Sequence, residues 1–296
     1  MRGDPMGDEG MSHGWGGSHG WGGSHGWGGG VPVFPVDVLQ ALGMRGGRGG
    51  VSVTAGLCPQ RPGAPEPDLA FRVENGTQLR APTRQLFPDG SFPEDFSIVA
   101  TVRARRGAQS FLLSMYDERG VQQLGVELGL SPVFLYEDQD GNPAPERYPT
   151  FRGVNLADGK WHRVALAVEG TTVALLLDCH LVATLPLERG PRPLLSTQGV
   201  TVFGGRLMDE ELFEGDIQQL LVVAGAEAAR SYCQLYMPGC DQPLLFPLQA
   251  PFPEEVSTQG HPWDPPTLQG CCQAWQHCRG AAGSLMSAFN PLAEQP

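Results

Sequence analysis

Residues 158–179 read DGKWHRVALAVEGTTVALLLDC, and this stretch decides the fold class. His162, Val164, Leu166 and Val168 recur at every second position, so they share one face of a strand. Glu169-Gly170-Thr171 supplies turn chemistry. Val173, Leu175, Leu177 and Cys179 then share one face of a second strand. The stretch is an antiparallel hairpin.

The same period extends outward in both directions. Phe96, Ile98, Ala100 and Val102 alternate with Ser97, Val99, Thr101 and Arg103, which predicts a strand with one face on a core. Phe111–Tyr116 and Val121–Leu128, joined by Asp117-Glu118-Arg119-Gly120, predict a second hairpin. Pro132–Tyr136 predicts a further strand, ending in a polar loop from Glu137 to Pro143. Downstream, Val200–Phe203 and Ile217–Val223 supply two more. Helical spacing occurs only at the flanks. Val36–Leu42 places Val38, Leu39 and Leu42 on one side, with Gly43 as a stop. Ala226–Tyr236 places Ala229, Cys233 and Tyr236 one turn apart, so Cys233 is expected to face the sheet. Many short strands and few helices predict an all-β sandwich.

Composition narrows the function. The chain has 296 residues and a net charge of −12, which disfavours a nucleic-acid partner because polyphosphates select basic surfaces. No apolar run approaches the roughly 20 residues that cross a bilayer. Glycine and proline concentrate at the two ends, which divides the chain into 1–35, a domain at 36–240 and a Pro-rich tail at 241–296. Met1–Gly30 lacks the basic start and apolar core of a secretory signal. It holds three near-copies of His-Gly-Trp-Gly-Gly-Ser, beginning at His13, His19 and His25. Spaced imidazoles are a metal-binding pattern, but a glycine-dominated segment has too much entropy to preorganise ligands and is expected to be disordered. Arg2-Gly3-Asp4 resembles an integrin-binding tripeptide. Cys271, Cys272 and Cys278 fall in the tail, where prolines interrupt every apolar run.

Several residues invite a chemical reading. Cys58, Cys179, Cys233 and Cys240 permit three pairings. None has the close spacing of a zinc site, which favours disulfides and an oxidising compartment. Glu214 and Asp216, with Glu210 and Glu211 upstream, invite a glycosidase reading, in which paired carboxylates act as acid and as nucleophile or base. No acid follows at Gln218 or Leu220, so solvated charge at the start of a strand is the expectation. Asp138, Asp140 and Asn142 alternate in the loop after Tyr136 and are candidate oxygen ligands for calcium. Gly141 is fourth in that run, where a calcium-binding EF-hand loop needs its glycine sixth. Asn75-Gly76-Thr77 is a glycosylation sequon with the composition of a surface turn. Trp161 and His162 are expected to pack at the rim of the core.

Six motifs, in order, carry a family resemblance. They are Phe92-Pro93-Glu94-Asp95-Phe96-Ser97, Phe134-Leu135-Tyr136-Glu137-Asp138, Asp158-Gly159-Lys160-Trp161-His162-Arg163, Leu177-Asp178-Cys179, Phe213-Glu214-Gly215-Asp216-Ile217-Gln218 and Tyr232-Cys233. With them, Val36 to about Cys240 resembles the thrombospondin N-terminal-like, laminin-G-like domain of fibrillar collagen amino-propeptides, most closely types V and XI. The resemblance implies a two-sheet, concanavalin-like jelly roll with a short N-terminal and a C-terminal helix. It also implies the pairs Cys58–Cys240 and Cys179–Cys233, and no resident cofactor apart from the calcium candidate. By the same likeness the chain is secreted into the extracellular matrix, is not an enzyme, and helps control fibril assembly and diameter by contact with collagen chains and other matrix proteins. The alternative is a lectin-like or heparin-binding module.

The chain departs from that family in three ways. It has no Gly-X-Y repeat and so cannot form a triple helix by itself. The acidic, tyrosine-rich region that follows the domain in the family is absent. Where the family carries a lysine-rich run, this chain reads His180-Leu181-Val182-Ala183-Thr184-Leu185. Sulfated glycosaminoglycans are therefore expected to bind weakly, through Arg103, Arg105 and Arg106.

Overall fold

In the computed structural model, which describes residues 35–244, alternation in the sequence becomes thirteen strands. In chain order they begin with β1 (Val36–Asp37), β2 (Val51–Ala55), β3 (Leu69–Val73), β4 (Leu79–Pro82), β5 (Phe96–Ala104), β6 (Ser110–Tyr116) and β7 (Gln122–Leu128). There follow β8 (Val133–Tyr136), β9 (His162–Glu169), β10 (Thr172–Leu177), β11 (His180–Pro186), β12 (Val200–Phe203) and β13 (Gly215–Ala224). Three short α-helices accompany them, α1 (Val38–Ala41), α2 (Thr83–Leu86) and α3 (Glu227–Arg230), with tighter 3-10 turns at Met44–Gly46 and Pro145–Arg147. The expectations for the His-Gly-Trp repeats, Arg2-Gly3-Asp4, Cys271, Cys272 and Cys278 lie outside the described residues.

The strands form two antiparallel sheets. One runs β11-β10-β9-β5-β13-β3-β2, with β1 beside β13; the other runs β4-β12-β6-β7-β8. Their facing sides make the core. Ile98, Ala100 and Val102 of β5, Val164, Leu166 and Val168 of β9, and Val173 and Leu175 of β10 cluster with Leu113, Leu124, Val126, Phe134 and Phe203 of the smaller sheet. Burying each large apolar side chain contributes about 1.5–3 kcal/mol, so the period-two pattern that builds the strands also joins the sheets.

The large sheet is covered on its other side too, which corrects the one-faced reading of β5. Val99, Ala165, Ala167, Leu221 and Val223 pack beneath Ala228, Ala229, Tyr232 and Met237. The small side chains of Ala165 and Ala167 let the C-terminal segment approach closely. The buried polar residues of β5 bind that segment. The Ser97 hydroxyl donates to the Gly225 carbonyl at 2.8 Å and accepts from the Ala229 N–H at 3.0 Å, while Thr101 and Tyr232 share a hydroxyl hydrogen bond of 2.8 Å.

Two helix expectations change in detail. Val36 and Asp37 pair with β13 instead of starting a helix, and Asp37 then caps α1 by accepting from the Gln40 N–H at 3.0 Å. Val38, Leu39 and Leu42 are buried as the spacing requires. At the other end, α3 stops at Arg230 and a wider turn of five residues, Tyr232–Tyr236, follows. The changed period buries Tyr232 against the sheet in the place expected for Cys233, which is half-buried, while Tyr236 packs half-buried against the same cluster. Tyr232 brings both a large apolar ring and a hydroxyl that Thr101 satisfies.

Cys179 is also off its expected strand face. β10 and β11 pair through Leu177 and His180, and the two residues between them, Asp178 (φ 48°) and Cys179 (φ 74°), are left-handed. A two-residue hairpin turn with two positive φ angles matches the twist of its strands. The cysteine is thereby presented at the turn, where it bonds Cys233.

Candidate functional site

At one end of the large sheet, register brings charges together. Asp216 of β13 stands opposite Arg72 of β3 on one side and Arg103 of β5 on the other. Opposed residues on one sheet face are close enough for their side chains to meet. Asp216 is 4% exposed and accepts from Arg72 Nε at 2.9 Å and from Arg103 Nε at 2.7 Å, with Arg103 Nη2 as a third donor. The Arg103 guanidinium lies over the Trp161 ring, 5.1 Å from its centre. Solvated charge at Asp216 is therefore corrected to a buried carboxylate clamped by two cations. Gly215 makes this closeness possible: its φ is 154°, and a Cβ there would lie 2.3 Å from the Arg103 carbonyl oxygen.

Arg105, one residue beyond β5, pairs with Glu214 at 3.1 Å, and Arg106 Nε reaches the Asp158 carbonyl at 3.3 Å. Arg72, Glu74, Asn75, Arg103, Arg105 and Glu214 surround an open groove of about 360 Å³. A smaller hollow of about 150 Å³ beside it shares Asn75 and Arg105. The three arginines proposed for sulfated glycans thus lie at one end of the sheet, with Arg103 and Arg105 on the groove wall. Arg103 and Arg105 are paired with carboxylates, which dilutes the positive field, while Arg106 reaches only a neutral carbonyl. The Glu214–Asp216 pair is likewise engaged, both carboxylates being ion-paired with guanidinium groups.

His162 sits between two acids. Its Nδ1 lies 2.8 Å from Asp178 and its Nε2 3.1 Å from Asp158. Only the protonated ring donates from both nitrogens, so the Asp178 hydrogen bond, opposed by burial and aided by Asp158, raises its pKa above the ordinary histidine value. For Asp178, burial pushes the pKa up, but hydrogen bonds from His162 and the Arg163 N–H outweigh it and leave the carboxyl below its usual range. A raised folded-state pKa gives stability that is full below the unfolded-chain value of about 6.5 and is lost as pH rises through the folded value. The depressed carboxylate contributes above its unfolded value of about 3.9 and is lost as pH falls. His162→Gln should therefore lower the urea midpoint more at about pH 5.5 than at about pH 8. Equal losses at both would contradict the clamp.

Asp138, the calcium candidate, is 5% exposed and braces its own loop. Its Oδ1 accepts from the N–H groups of Asp140 and Asn142 at 3.0 and 2.9 Å, and its Oδ2 from that of Gly190 at 2.8 Å. Asp140 accepts from Gln139. Among the described residues, no three His, Cys, Asp or Glu side chains are grouped to hold a metal. Asn75 is exposed at the turn between β3 and β4.

Two disulfides, Cys58–Cys240 and Cys179–Cys233, tie the domain, spanning 182 and 54 residues. Beside the first lies a cluster the sequence reading missed. Arg61, 4% exposed, donates to both oxygens of Asp68 at 2.7 and 3.0 Å and to the carbonyls of Gly239 and Gln242 at 2.7 and 2.9 Å. Arg72 was missed as well. The signal for it was the alternation in Leu69-Ala70-Phe71-Arg72-Val73, which marks a strand; its pairing with β13 was not readable from local pattern.

Among the described residues, no helix is long and apolar enough to cross a membrane. Residues 103–224 match the family model for the laminin G domain. Solved structures similar to the chain include the binding domain of Paraclostridial Mosquitocidal Protein 1, at 12% identity and a TM-score of 0.44, over 64% of this chain and 47% of that one. The chain thus spans about half the length of that binding domain. Domain 4 of AbnA, an extracellular arabinanase from Geobacillus stearothermophilus, aligns at 13% identity and a TM-score of 0.40, over 62% of this chain and 88% of that one. The CBM40 of a Ruminococcus gnavus sialidase, bound to α2,3-sialyllactose, aligns at 17% identity and a TM-score of 0.40, over 55% and 95%. Two antiparallel sheets, few helices and the family match together identify the described residues as an all-β, laminin G-like sandwich.

Proposed function

We propose that this domain is a non-enzymatic extracellular binding module of the collagen amino-propeptide kind, which contacts collagen chains and other matrix proteins and limits fibril growth. The observation that carries the reading is the run of six motifs in order from Phe92 to Cys233, set on a sandwich tied by two disulfides. Long cross-links suit an oxidising compartment. The engagement of Glu214 and Asp216 by arginines supports binding over hydrolysis. Co-sedimentation of the full chain with reconstituted collagen fibrils tests the proposal. Saturable binding that is lost on unfolding supports it, and a chain left wholly in the supernatant at every concentration contradicts it.

A second reading, weak binding of sulfated glycans, is favoured by the exposure of Arg72 and Arg105 beside the groove, with side chains 54% and 61% exposed. Exposed ion pairs are weak and exchange readily, so a sulfate competes with Glu214 for Arg105. Strong retention is not expected, because carboxylates interleave with the arginines.

A further inference from the structure

We infer that Asn75 bears an N-linked oligosaccharide, and that this glycan overhangs the arginine groove and restricts its contact with polyanions. The inference rests on the extracellular reading proposed above. Asn75 is exposed at the tip of a tight connection between β3 and β4, where Gly76 takes a φ of 87° and the Thr77 N–H returns to the Glu74 carbonyl at 3.1 Å. Asn75 therefore stands clear of the sheet. Thr77, its third residue, is turned inward and donates to the Gly50 carbonyl at 3.2 Å, which fixes the direction in which the turn projects. Asn75 is at the same time a wall of both the groove and the hollow beside it, as is Arg105. A branched sugar rooted there begins on the rim and has the Arg72, Arg103 and Arg105 surface as its nearest ground.

Attachment is a group transfer from an oligosaccharide carried on a polyisoprenyl pyrophosphate. The side-chain nitrogen of Asn75 forms a bond to the anomeric carbon, the bond from that carbon to the pyrophosphate oxygen breaks, and the amide gives up one proton. The transferred oligosaccharide is neutral and adds bulk and hydration, and sialidase treatment of the secreted chain keeps it so. It therefore acts on polyanion binding by excluding the ligand from the arginines, with their ion pairs to Asp216 and Glu214 unchanged. The uncovered groove is a weak site, so the sugar decides between weak retention and none.

The test uses the full chain secreted from mammalian cells behind a secretory leader and treated with sialidase. Three forms are compared: the unaltered chain, Asn75→Gln, and Thr77→Ser, which keeps the sequon. Substitution is preferred to amidase treatment, because the amidase leaves aspartate and adds a negative charge to the rim. Intact mass should exceed the sequence mass in the unaltered chain and in Thr77→Ser, and match it in Asn75→Gln. On a heparin column at low ionic strength, the glycosylated forms should run through. Asn75→Gln should be retained and elute at or below physiological salt, about 0.15 M. Adding Arg105→Ala to Asn75→Gln should abolish that retention. A secreted chain without glycan, or equal elution of the unaltered and Asn75→Gln forms, would overturn the inference while leaving a secreted binding module intact. A chain retained in the cell with reduced cysteines would overturn both.

Discussion

Replacing Arg61 with alanine is expected to destabilise the domain by about 3–5 kcal/mol, the cost of removing one partner from a buried ion pair. The Arg61 and Asp68 side chains are 2% and 5% exposed, so water cannot replace the lost guanidinium. The same change strips donors from the Gly239 and Gln242 carbonyls, which anchor the segment around Cys240. Arg61→Lys retains the charge but not the fork that serves Asp68 and the carbonyls together, and should recover only part of the loss. Urea unfolding checks this through a lower midpoint with little change in slope. A loss under about 1 kcal/mol would mean that Asp68 finds another partner and the cluster is not a clamp.

A comparable effect is expected from the disulfides. In the chain-entropy model, a cross-link spanning 182 residues contributes about 5 kcal/mol and one spanning 54 residues about 4 kcal/mol. Domains are usually stable by only about 5–15 kcal/mol, so the pair Cys58→Ala and Cys240→Ala should bring the melting transition close to body temperature. That cross-link and Arg61 hold the same segment, so removing both should cost less than the sum of the separate losses. A non-reducing peptide map of secreted chain should contain the Cys58–Cys240 and Cys179–Cys233 peptides and no Cys58–Cys179 species. Four free thiols in secreted chain that melts at an unchanged temperature would contradict the account.

How much of this was legible in the sequence depends on which interactions are local. The hairpin from His162 to Leu177 and the strand from Phe96 were readable because their apolar period needs no partner to be recognised. β11 was not marked, since His180-Leu181-Val182-Ala183-Thr184-Leu185 lies at the sheet edge with a bulge opposite Leu175 and Leu176, and its residues do not alternate cleanly. The second covering of the large sheet was hidden because Ser97 and Thr101 look like solvent-facing residues. They are buried because Gly225, Ala229 and Tyr232 supply their hydrogen bonds from far along the chain. Asp216 was noticed for its carboxylate, yet its meaning came from Arg72, 144 positions earlier, and Arg103, 113 positions earlier. Pairing across such distances is set by sheet order, which no window of sequence contains.

Fibril diameter is the most direct measure of the central claim. Collagen should be reconstituted with increasing amounts of the full, disulfide-bonded chain, and fibril widths measured by electron microscopy. The account predicts that widths narrow with dose, and that reduced and unfolded chain has no such effect. A distribution of widths that stays the same at saturating chain, with fibrils forming normally, would contradict a role in limiting fibril growth.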